Sequence, residues 1–101
     1  MSFGNLARMA QQMQAEMARV QTELEALRVE GTAGGGAVKA VVTGRQEVVS
    51  ITIDPGVVDP GDVEMLQDLV LAAINEAMTS ARRTAEQKMA VVTGGLRLPG
   101  M

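Results

Sequence analysis

The N-terminal segment constrains the fold of this chain more than any other stretch. Phe3, Leu6, Ala10, Met13, Met17, Val20, Leu24 and Leu27 are spaced 3, 4, 3, 4, 3, 4, 3. That spacing is the a/d seam of a helix sustained over successive heptads. The residues between are mostly Ala, Gln, Glu and Met, which are good helix formers. A helix over about residues 3–28 is expected, ~39 Å long at 1.5 Å per residue. In a chain of 101 residues no small domain covers such a rod along its whole length. An ordinary amphipathic helix packed on its own sheet would use the same residues. The length favours a helix that projects, or that pairs with a second helix.

After this helix the period changes. Val38, Ala40 and Val42 alternate with Lys39, Val41 and Thr43, and Val49, Ile51 and Ile53 alternate with Val48, Ser50 and Thr52. Period-two runs of β-branched residues between glycine turns predict strands at about 29–33, 37–43 and 47–53, forming an antiparallel meander. Val41 and Val48 place apolar groups on the second face, so that face is expected to be covered by a helix or another subunit. Asp59, Pro60 and Asp62 then read as N-cap, first helical position and N3 of a second helix. Its apolar stripe runs through Val63, Leu66, Val70, Ala73, Ala77, Ala81, Ala85 and Met89 to about Val91, and Thr93-Gly94-Gly95 ends it. The expected class is α+β: one domain over residues 1–93, with helices at about 3–28 and 60–91 flanking the sheet, and a flexible tail over 94–101.

Composition narrows the chemistry. The chain has no cysteine and no histidine, which removes disulfides, thiolates, imidazole bases and most zinc or iron sites. Ser2, Ser50 and Ser80 have no histidine to activate them, and no carboxylate pair stands out, so no enzyme and no cofactor is expected. No apolar run approaches the ~20 residues of a membrane span, and no signal peptide is evident. A cytoplasmic protein without a membrane partner is expected. Phe3 is the only aromatic, so burial rests on aliphatic residues and eight Met, and oligomerisation is a natural source of further buried surface.

The stretch GTAGGGAVK, residues 31–39, imitates a phosphate loop. Gly31 and Gly36 have the Walker A gap, but Ala37-Val38 stand where Lys-Ser/Thr is required, and Lys39 arrives inside the next strand. The glycines lead into a strand rather than a helix N-terminus, where an anion site would form. A hairpin is the better reading. Asp54, Asp59 and Asp62 fail a calcium loop, because Gly56 and Val58 occupy its third and fifth positions. The two Asp-Pro-Gly turns account for these residues.

Charge is uneven. The net charge is −3, with six acids and no base from Asp54 to Met78 (Asp54, Asp59, Asp62, Glu64, Asp68, Glu76), yet Arg82, Arg83, Lys88 and Arg97 outweigh Glu86 after Thr79. An acidic chain can still carry a local basic patch. With Phe3 at a, Arg8 falls at f and Arg19 at c, both off the seam, and Gln11, Gln12 and Gln14 add amides beside Arg8. Arg and Gln on an exposed helix suit phosphates and base edges; they suit a solvated surface equally well. No aromatic is expected to be available for stacking on single-stranded bases.

GNLARMAQQMQAEM (4–17), VEGTAGGGAVK (29–39), IDP (53–55), EMLQDLVLAAINEA (64–77), KM (88–89) and GGLRLPGM (94–101) together resemble the YbaB/EbfC nucleoid-associated proteins, in order and over essentially the whole chain. The resemblance implies a bacterial cytoplasmic, nucleoid-associated homodimer of helix, three strands and helix, whose long helices project like tweezers and bind DNA. It implies that Arg8, Gln11, Gln12 and Arg19 lie on a projecting helix lining a DNA-facing gap, and that Arg82 and Arg83 match a basic pair of the second helix. Arg28 departs from the acidic or neutral residue common there. Two functions follow as expectations. One is a non-catalytic, homodimeric binder of duplex DNA that aids chromosome organisation or gene regulation. The other is an adaptor whose arms grip replication or recombination proteins while the acidic stretch keeps DNA away.

Overall fold

A computed structural model describes residues 3–94. Its elements run α1 (Phe3–Ala26), β1 (Arg28–Ala33), β2 (Val38–Thr43), β3 (Val48–Ile53), a 3-10 turn (Pro55–Val57) and α2 (Val63–Gly94). The strands form one antiparallel sheet in the order β1-β2-β3. The expected α+β order and both long helices are present.

The core is built from small and β-branched side chains. Val38, Ala40 and Val42 on one face of β2 are fully buried against Ala73, Ala77 and Ala81 of α2. The close approach depends on Gly31, whose strand neighbour is Ala40. A Cβ built on Gly31 would stand 2.4 Å from both the Ala73 carbonyl oxygen and the Ala77 nitrogen. Helix backbone therefore rests almost directly on strand backbone, which is how a chain with so little aromatic bulk excludes water.

α2 lies over β1 and β2 and leaves β3 to one side. The opposite face of the sheet, with Glu30, Lys39, Val41 and Ser50, is covered by neither helix; the cover expected from Val41 and Val48 is not supplied by any described element. The β2–β3 register shifts between Val41 and Val42, with Val41 opposite Ser50 and Val42 opposite Val48. This bulge leaves Val49 out of the alternation that the sequence pattern assigned to it.

The turns follow side-chain capping. Gly34, Gly35 and Gly36 all have φ between 64° and 94°, and Ala37 N–H donates to the Gly34 carbonyl at 3.3 Å; the triple glycine reverses β1 into β2. The start of α2 differs from expectation. Asp59 Oδ1 accepts from Gly61 N–H at 2.8 Å, and Asp62 N–H donates to the Asp59 carbonyl at 2.9 Å, so Asp59-Pro60-Gly61 is spent on a turn. Asp62 is the N-cap instead, accepting from Met65 N–H at 3.1 Å. At the other end α2 continues through Gly94, because Val92 is held among Val20, Leu24 and Met89. The tail expected over 94–101 lies, beyond Gly94, outside the described residues.

That second cluster is where α1 meets α2, and it uses only the inner third of the α1 seam. Val20 and Leu24 are buried and Leu27 is half-buried. Gly44 N–H donates to the Leu24 carbonyl at 2.8 Å, pinning the β2–β3 turn to α1. Outward of Val20 none of the described residues covers the helix. The molecule is accordingly a rod of 70 × 26 × 16 Å.

Candidate nucleic-acid interface

α1 from Phe3 to Met17 projects as a free arm ~22 Å long. Arg8, Gln11 and Gln12 sit on this arm and Arg19 at its base, all exposed. At about 100° per residue, Arg8, Gln12 and Arg19 fall within about 40° of one another, forming one stripe opposite the apolar seam. Gln11 lies to one side of it. The arm carries no acid before Glu16, so Arg8 works there without a carboxylate to offset it.

Arg19 is engaged differently. Its Nη2 contacts Glu16 Oε2 at 2.6 Å, its Nε donates to the same oxygen at 3.2 Å, and its Nη1 pairs with Glu23. The hydrogen bond to Glu16, the charge of Glu16 and then the charge of Glu23 raise the guanidinium pKa above its ordinary value. Two acids flank one base, so this turn of α1 is net negative. Exposed pairs of this kind are worth little, and a phosphate can exchange for them.

Arg82 and Arg83 follow Ala81, which is buried on the sheet, and turn outward as exposed side chains. The structure does not gather them with Arg8. Counted from the Val20–Val92 contact, Arg8 lies about three turns outward along α1 and the arginine pair nearly three turns inward along α2. The cations are thus strung over roughly 30 Å of the long axis rather than concentrated in a pocket.

The remaining described cations are committed within the chain. Lys88 pairs with Glu23 at 3.4 Å, Lys39 with Glu30 at 3.7 Å and Arg45 with Glu25 at 4.0 Å. Arg28 donates to the Glu25 and Leu27 carbonyls at 3.0 and 3.1 Å. Among the described residues only Arg8, Arg82 and Arg83 make neither an ion pair nor a hydrogen bond through the guanidinium. Asp54 and Asp59 bind their own turns, and Asp62 caps α2. No described helix is long and apolar enough to cross a membrane.

Two features escaped the sequence pattern. Phe3 was expected as the first residue of the seam, with no aromatic available to stack on bases; it is 89% exposed at the arm tip. The second is an apolar groove of about 420 Å³ beside β3, lined by Ile53, Leu66, Gln67, Val70, Leu71 and Ile74. Leu71 is 59% exposed there. The signal was present as a second stripe on α2, with Gln67, Leu71, Ile74 and Met78 spaced 4, 3, 4 beside the main one.

Comparison with known proteins places this architecture. A solved structure of an uncharacterized Helicobacter pylori protein, HP0035, superposes with a TM-score of 0.77 over 96% of this chain and 99% of that one, at 22% identity. That likeness establishes the fold. In sequence, the chain is 58% identical over 97 residues to a nucleoid-associated protein of Chloroflexus aurantiacus, covering 96% of this chain and 97% of the relative. It is 53% identical over 100 residues to a nucleoid-associated protein of Thermoanaerobacter pseudethanolicus, covering 99% and 90%. Residues 1–96 match the model of the YbaB/EbfC DNA-binding family. With the same helix, three strands and helix carried from end to end, the chain belongs to the YbaB/EbfC DNA-binding family.

Proposed function

We propose that the protein is a non-catalytic, nucleoid-associated homodimer that binds duplex DNA and serves chromosome organisation or gene regulation. The observation that carries this reading is the projecting arm of α1, a cation-bearing rod with Arg8 unpaired among the described residues and no acid before Glu16. A rod exposing isolated arginines and amides suits phosphate contacts along a backbone better than it suits a small ligand, which needs a concave site. Arg8, Arg82 and Arg83 are the primary phosphate contacts. Gln11 and Gln12 stand on the same arm as Arg8, and Arg19 joins when a phosphate displaces Glu16 and Glu23.

The homodimer reading rests on the open β3 edge of the sheet. β3 is an edge strand reading VVSITI, with neither charge nor proline to deter pairing. The apolar groove lies directly beside it. A second copy related by a two-fold axis offers the same edge and the same groove, so one isologous contact covers both.

The test is a duplex-DNA titration by fluorescence anisotropy at two salt concentrations, with mass measured by light scattering. A dimer using the three unpaired arginines of each copy should show a log–log salt slope of roughly −5. Arg8→Glu should weaken binding at least about tenfold, and Arg19→Glu clearly less. A dimer that does not bind duplex at low salt would overturn the DNA reading and leave the arms to a protein partner.

A further inference from the structure

We propose that the outer seam of α1 is a second self-association surface, on which the arm of one molecule pairs antiparallel with the arm of another. The proposal uses neither the DNA contacts nor the groove beside β3. Its starting point is that the seam is continuous while its cover is not. Val20, Leu24 and Leu27 are occupied by Val92, Met89 and Ala85 of α2, in an established helix–helix contact. Phe3, Leu6, Ala10, Met13 and Met17 carry the same spacing outward with no partner among the described residues; Leu6 is 49% exposed and Met17 37%.

The flanks of the seam say what kind of partner fits. In the heptad with Phe3 at a, the e and g positions of the arm are Ala7, Met9, Gln14 and Glu16. Flanking charges normally select or exclude coiled-coil partners. Here a single charge stands on the whole flank, so an identical copy meets no repulsion, while a partner chosen by charge would find almost nothing to recognise. Antiparallel layering puts Ala10 against Met13 of the second copy and Leu6 against its Met17, matching small with large. Met9 then lies beside Glu16 of the second copy, so the only flanking acids do not face each other. Arg8, at f, points away and stays free.

Two heptads form a weak contact by themselves, and the association should be concentration-dependent. It strengthens when copies are held close together, since tethering converts a bimolecular contact into an intramolecular one. Copies bound along DNA meet that condition, and arms paired between them would link separate stretches of duplex.

The natural chain lacks cysteine, so single introduced thiols report contact without background. Ala10→Cys places one in the seam, and Arg8→Cys places one on the opposite face of the same arm. Under copper-phenanthroline oxidation without DNA, Ala10→Cys is expected to form covalent pairs on a denaturing gel at least tenfold faster than Arg8→Cys. Adding Leu6→Glu to Ala10→Cys should remove the excess. Adding Leu71→Glu, which disables the groove instead, should leave it. Equal rates for the two thiols, or an excess that disappears with Leu71→Glu, would overturn the proposal. The groove reading fails separately, if Leu71→Glu leaves the native mass of the dimer unchanged.

Discussion

The sheet-bound half of α2 and the outer arm of α1 have the same kind of apolar repeat and opposite fates. Ala73, Ala77 and Ala81 recur every four residues and are wholly inaccessible. Phe3, Leu6 and Met17 belong to a seam spaced at three and four and are all exposed. The difference comes from what stands opposite. α2 meets a strand that has a glycine where the helix backbone needs room. The arm of α1 has already run past the end of every other described element. Periodicity records a capacity to bury a face, and a neighbour at the right distance decides whether it is buried.

Three substitutions sharpen that contrast, in decreasing order of effect on stability. Gly31→Ala inserts a methyl 2.4 Å from helix backbone on two sides. No side chain there can move aside, so the helix must lift, with an expected loss of about 3 kcal/mol or more in urea unfolding. A loss below about 1 kcal/mol would show that α2 slides freely on the sheet. Val92→Ala probes the junction, where α1 is held only by its inner seam. It removes two methyl groups from a small cluster and should cost about 2 kcal/mol, with increased amide exchange in α1 as its local signature. Leu6→Ala on the free arm should change the stability of dilute protein by less than about 0.5 kcal/mol. A larger effect in dilute protein would mean the arm is covered already, and the contrast between the two helices would collapse.

Much of the fold was legible because it depends on local chemistry. The 3-4 seam gives a helix, period-two β-branched runs give strands, and three glycines in succession give a turn. The start of α2 was misplaced by three residues for a reason visible only in the backbone. Asp59 and Asp62 compete for the same capping role, and Gly61 lets the first turn close on Asp59 before the helix begins. The β3 bulge escaped for a similar reason, since an alternating pattern is unchanged by one extra residue until register is known.

The candidate interface was legible as a set of residue types and much less as a site. Arg8, Gln11, Gln12, Arg19, Arg82 and Arg83 are all exposed, as DNA contacts must be. Their distribution over roughly 30 Å follows from how far α1 overshoots the sheet, and the commitment of Arg19 to Glu16 and Glu23 follows from rotamers. The groove beside β3 was hidden because Leu71 and Ile74 look like ordinary core residues until β3 is seen to lie outside the cover of α2.

The sequence by itself determined the elements, their order, the absence of thiol and imidazole chemistry, and a helix too long for its own domain. These are properties of neighbouring residues and of totals, which need no third dimension. The tertiary structure alone decided which apolar stripes are filled and which are left open. It also decided which arginines remain without carboxylates and where the sheet keeps a bare edge. Those outcomes depend on distances between residues far apart in the chain, and a single close approach, Gly31 against Ala73 and Ala77, sets the position of α2 from which they follow.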